Sequence, residues 1–175
     1  MVRIANAFAV AMFSYKCSRC GELHEGSPSF GYRAPDPYLE QPKDVQDAGS
    51  LSEDLCEYTD EDGKHHFIRV VLEVPIHGLD DPFLWGVWVS LSEKSFERYV
   101  ETYDQPDTSD SYFGWLCNRL PYYENTHLKT RVHPRGGGTR PYIILERTDH
   151  PLSVDFHSGI SVQKAQEIGE AILHR

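Results

Sequence analysis

The chain has 175 residues, 39% of them hydrophobic and 12% aromatic, and carries a formal net charge of -10. That length and composition fit one domain with a real core and exclude a disordered polar chain. No stretch approaches the ~20 apolar residues of a spanning helix, and no basic stripe exists to displace counterions from a duplex, so neither a membrane nor nucleic acid is expected as a partner.

Residues 1–11 hold one arginine and a short apolar patch, a weak signal peptide because a cysteine pair follows at once. Met12 stands directly before the alternating Phe13-Ser14-Tyr15-Lys16. Residues 1–11 are therefore read as an extension, and residues 12–175 as a single domain. Next comes Cys17-Ser18-Arg19-Cys20-Gly21, the most specific motif in the chain. Two thiolates two residues apart grip one tetrahedral ion, and the glycine lets the backbone fold beneath the sulfurs. Four ligands are needed and no second C-x-x-C exists, so Cys56 is the expected third ligand and His24, four residues past Cys20, the fourth. The expected cofactor is a structural zinc ion. Ordinary reduced cysteines are the alternative, and a redox dithiol has less support because no helix N-terminus follows to lower a thiol pKa. Four cysteines with one close pair fit a reducing compartment, so a cytoplasmic location is expected.

Residues 26–50 are rich in proline, glycine, aspartate and serine, which predicts loop, with one short helix after Pro42. Between Asp36 and Asp62 ten acids face one base, Lys43. This run is a solvated loop or a docking surface for a protein with a basic surface. Asp54 to Thr59 and His65 to Ile76 predict a hairpin turning at Asp60-Glu61-Asp62-Gly63, with Ile68, Val70, Leu72 and Val74 sharing one face. Phe83 to Leu91 repeats that period of two through Phe83, Trp85, Val87, Val89 and Leu91.

Ser92 caps a helix in which Phe96, Tyr99, Val100 and Tyr103 recur at helical spacing. Tyr112 to Cys117 reads as a strand or a short buried turn. Leu128 to Val132 and Arg140 to Arg147 read as strands joined by Pro134 to Thr139, and Leu152 to Phe156 as a further strand. Ser161 caps a last helix whose Val162, Ala165, Ile168, Ile172 and Leu173 form the buried face. The order predicts an α+β fold: a mainly antiparallel sheet, two amphipathic helices and an N-terminal hairpin like a zinc knuckle.

Three other clusters could carry chemistry. Asp149, His150, Asp155 and His157 could bind a metal or pair a base with an orienting acid, against a reading as polar sheet edge. Gly136-Gly137-Gly138, with Lys129, Arg131, His133, Arg135 and Arg140 around it, could cradle an anion but reads better as a hairpin loop. Tyr112-Phe113-Gly114-Trp115-Leu116 and Tyr122-Tyr123 are core and its rim, any exposed part suiting a protein interface.

Phe13-Ser14-Tyr15-Lys16-Cys17-Ser18-Arg19-Cys20-Gly21-Glu22-Leu23-His24 opens a distinctive pattern. Asp54-Leu55-Cys56, Trp85-Gly86-Val87-Trp88-Val89-Ser90-Leu91-Ser92-Glu93, Tyr112 to Leu116, Thr148-Asp149-His150-Pro151-Leu152 and Gly159-Ile160-Ser161 continue it. From about Met12 to the C-terminus the chain resembles the bacterial domain-of-unknown-function family 2199. The resemblance implies a cytosolic bacterial protein and carries no catalytic residue onto this sequence.

Three functions follow as expectations. The first is a non-enzymatic binding module braced by the metal knuckle. The second is an immunity-type protein that masks a basic toxin through the acidic segment. The third is a hydrolase using Asp149, His150, Asp155 and His157.

Overall fold

Two long strands form the spine of the molecule. In the computed structural model, which describes residues 13–26, 28–106, 109–124 and 127–174, β6 (Gly63–Val74) and β7 (Phe83–Leu91) pair antiparallel from His66↔Leu91 to Val74↔Phe83. The expected extension at residues 1–11 lies outside the described residues. Alternation decides the faces: Ile68, Val70, Leu72 and Val74 on β6 are buried together with Phe83, Trp85, Val87 and Val89 on β7.

Each spine strand divides its other edge between two neighbours. Along β7, β3 (Ser29–Gly31) runs parallel to the first half and β8 (Tyr112–Leu116) antiparallel to the second. Along β6, β5 (Leu55–Asp60) pairs antiparallel near the start, and β10 (Tyr142–Leu145) joins parallel at Tyr142↔Val71. β9 (Lys129–His133) links β8 to β10, antiparallel to both. The circuit β6–β7–β8–β9–β10 thus closes a five-stranded barrel, and β4 (Ser50–Leu51) extends the sheet beyond β5. A separate antiparallel hairpin, β1 (Ser14–Lys16) and β2 (Leu23–Glu25), holds the cysteine pair in its loop.

The described residues form five helices: α1 (Asp36–Leu39), α2 (Lys43–Ala48), α3 (Glu93–Thr102), α4 (Pro151–Ser158) and α5 (Val162–Leu173). The α+β class stands. Two helices was too few, and "mainly antiparallel" passed over the parallel join on which barrel closure depends. Leu152 to Phe156 is helical in α4, not a strand. Pro151 presets the first helical position and His150 Nδ1 accepts the Leu152 N–H, so a local cap overrides the apparent alternation. The run 26–50 is not all loop, since it supplies β3 and α1 before the expected helix after Pro42. Ser92 and Ser161 do cap α3 and α5, accepting from the N–H groups of Ser95 and Lys164.

Two cores result. The larger fills the barrel and continues under Leu152, Ile160, Ala165 and Ile168, with Phe13, Tyr15 and Cys17 of the hairpin resting on it. The smaller lies on the opposite face of β5–β6–β7, where Trp88, Phe67, Tyr58 and Cys56 are covered by Ala34 and Tyr38 of the α1 region. Asn118 pins this cover: its side chain accepts the Trp88 backbone N–H and donates to Ala34 O and Asp36. No helix among the described residues is long and apolar enough to cross a membrane.

Candidate metal centre

The hairpin turn is built to present sulfur. Lys16↔Leu23 closes the β1–β2 ladder, and Cys17 N donates to Glu22 O, so residues 18–21 form a tight loop. Gly21 takes φ +74, the left-handed conformation that lets the chain double back. The amides of Arg19 and Cys20 then point at Cys17 Sγ, at 3.4 and 3.5 Å. Burial opposes ionisation of Cys17 most strongly. The two amides, the His174 ring and the Cys20 side chain together outweigh it and bring the thiol down to about 6. Cys20 is moved the other way: the Glu22 amide lowers its pKa, but burial and the neighbouring Cys17 prevail and raise it.

His24 reaches the same point from β2. Its ring stacks on Tyr15 at 5.1 Å, which orients the imidazole, and Nε2 stands 3.8 Å from Cys20 Sγ. The ligand atoms of Cys17, Cys20 and His24 all lie within 4.8 Å of one another. With metal–sulfur bonds near ~2.3 Å and metal–nitrogen bonds near ~2.0–2.1 Å, a tetrahedral S···N edge is about 3.5 Å. The Cys2His group could therefore hold one metal ion.

Cys56 is not part of this group. It sits in β5, opposite Phe67, buried in the smaller core on the other face of the sheet, whereas Cys17 belongs to the larger core. Burial pushes the Cys56 thiol up to about 12, the behaviour of a packed core residue. Of the four expected ligands, Cys17, Cys20 and His24 come together, and Cys56 does not.

Much of the Asp/His cluster and of the glycine loop is committed to structure. Asp155 is buried, accepts from Tyr123 Oη at 2.9 Å and is paired with Lys164 at 2.7 Å. His157 bonds Leu145 O at 2.8 Å, and His150 caps α4. In the glycine loop all three residues have positive φ, and the Gly137 and Gly138 amides donate to Gln105 O and Tyr103 O. A Cβ at Gly136 would stand 2.5 Å from Gln105 O, so the run exists to seat the loop against the end of α3. Of the ten acids between Asp36 and Asp62, seven already have partners within the chain.

The family model described as an uncharacterised protein conserved in bacteria, domain-of-unknown-function family 2199, matches residues 16–160. The chain belongs to that family. The part matched to family 2199 includes Cys17, Cys20 and His24 and ends just after α4. No curated protein and no solved structure matches the chain.

Sequence reasoning missed Gln166 and Glu170 of α5 and its cap His174, all of which meet the hairpin. Their spacing of four was visible as a polar stripe, but nothing in a linear pattern says what such a stripe faces. It also overstated Val162 and Leu173, which are 39% and 47% exposed.

Proposed function

We propose that this chain is a non-catalytic, protein-binding module in which a structural zinc ion at Cys17, Cys20 and His24 fixes the N-terminal hairpin. One observation carries the binding reading: an aromatic face on the outside of the barrel. Along β8 the inward side chains are Tyr112 and Leu116, so Phe113 and Trp115 point outward, 47% and 36% exposed and edge-to-face at 5.5 Å. The register aligns Phe113 with Arg131 and Arg131 with Ile144, an exposed row across β8, β9 and β10. Lys129 lies over the Trp115 ring at 5.9 Å. Ordering large apolar side chains in water is unfavourable unless something covers them, and Trp and Tyr-like anchors ringed by charge are the usual make-up of interface centres.

Arg131 favours a partner segment that is apolar with acidic flanks, whereas Lys129 is already paired with Glu146 at 3.8 Å. The basic partner expected for the acidic segment has less support, because so many of those acids are paired within the chain. Asp44 on α2 and Glu61 and Asp62 at the β5–β6 turn are left for that role.

The experiment is capture of partners from a bacterial lysate on zinc-loaded chain, followed by titration of any captured protein. Replacing Phe113 and Trp115 together by alanine is expected to weaken the contact by ~30-fold or more. Unchanged affinity in that variant would overturn the assignment of the face. Metal analysis of the purified chain is expected to find one zinc.

A further inference from the structure

The last helix makes a second, independent set of contacts with the knuckle. Gln166 and Glu170 are spaced four apart on one stripe of α5, and His174, the residue that caps its end, follows four further on. Each reaches the hairpin in turn. Gln166 Nε2 donates to Lys16 O at 3.3 Å, Glu170 accepts from Ser18 N at 2.7 Å and Ser18 Oγ at 2.5 Å, and His174 Nε2 stands 3.0 Å from Cys17 Sγ. Arg19 Nη1 donates to His174 O at 3.3 Å, which holds the helix end over the turn. Gly169 permits the approach, since a Cβ there would lie 2.9 Å from Tyr15 Oη.

We propose that His174 is the fourth ligand of the metal centre, so that one divalent ion is held by Cys17, Cys20, His24 and His174. The proposal rests on the structural metal reading above and assigns the ion a further task, clasping the N-terminal hairpin to the C-terminal helix. The donor set has the form of closed structural zinc sites, two thiolates and two imidazoles. His174 is joined to the group through Cys17, at a separation about half an ångström shorter than a tetrahedral S···N edge. Its backbone, at φ -119 and ψ 34, has already left the helix. Its ring nitrogens lie outside the group whose ligand atoms are all within 4.8 Å of one another, so ligation requires the ring to turn about its side-chain bonds toward Cys20. His174 lies outside residues 16–160, the part that the family model matches.

The test uses the full chain. X-ray absorption on the zinc-loaded protein should count two sulfurs and two imidazoles. His174→Ala, checked for folding by circular dichroism, should lose more than ~100-fold in zinc affinity, beyond the ~10–100-fold typical of a residue that only orients a ligand. His174→Cys should restore tight binding and raise the cobalt(II) thiolate charge-transfer absorption by about half, as two thiolates become three. One imidazole in the wild-type centre, with His174→Ala binding zinc within tenfold of wild type, would overturn the clasp and leave the Cys2His site standing. A wild-type chain that binds no zinc would overturn the metal reading itself, and the clasp with it.

Discussion

Single side chains decide which of the polar clusters is chemistry and which is scaffold. Asp155 is the clearest scaffold residue, receiving Tyr123 Oη and Lys164 Nζ where almost no water reaches it. Its alanine variant strands a buried phenol and an ammonium, and should destabilise the chain by about 2–4 kcal/mol in urea unfolding. Glu170 acts through charge. Hydrogen bonds from the Ser18 hydroxyl and amide and from Gln166, working against burial, hold its carboxyl down to about 2 from an ordinary 4.5. A depressed carboxyl contributes its full stability above its unfolded value and loses it as pH falls from 4.5 towards 2. Glu170→Gln should accordingly flatten part of the acid limb of a stability–pH curve measured by thermal melts. An unchanged acid limb would show that the Ser18 contacts do not stabilise the fold.

Elements were legible where a period of two or a cap was strong. The β6–β7 hairpin, α3 and α5 followed from alternation, from Ser92 and from Ser161, because those signals are local and agree with burial. The failures share one cause. Leu152-Ser153-Val154-Asp155-Phe156 alternates like a strand, but Pro151 and the His150 cap start a helix that buries Leu152 and Asp155 on one side. Leu152→Ala should therefore cost about 2–5 kcal/mol as a core cavity, whereas Val154→Ala, at a site 47% exposed, should stay within about 0.5 kcal/mol. Equal effects would argue for the strand. The residues considered for the metal centre divided in the same way. His24 was readable because it follows Cys20 closely in the chain, and Cys56 misled because a strand position says nothing about which sheet face a thiol occupies. His174 was invisible, since its partner lies at the other end of the sequence.

At the scale of the whole molecule, the barrel and the hairpin are joined in different ways. The barrel is closed by ladders, with β6–β7 formed across a short turn and the seam at Tyr142↔Val71 formed across a long one. Among the described residues the hairpin has no ladder to the barrel sheet. It is a separate two-stranded unit, packed through Phe13 and Tyr15 and tied by the polar stripe of α5. The contact between Cys17 and His174 spans 157 residues. So long a loop is costly to close before the rest of the chain is compact, which places this contact late on the folding route. Anything that strengthens a late contact acts on the rate of escape from the native state, not on the rate of reaching it. In stopped-flow chevrons, zinc should lower the unfolding limb several-fold and leave the refolding limb nearly unmoved; a faster refolding limb would mean that the two ends meet early. The knuckle would then serve as a latch on lifetime: two segments from opposite ends of the chain setting how long the folded molecule lasts once it has formed.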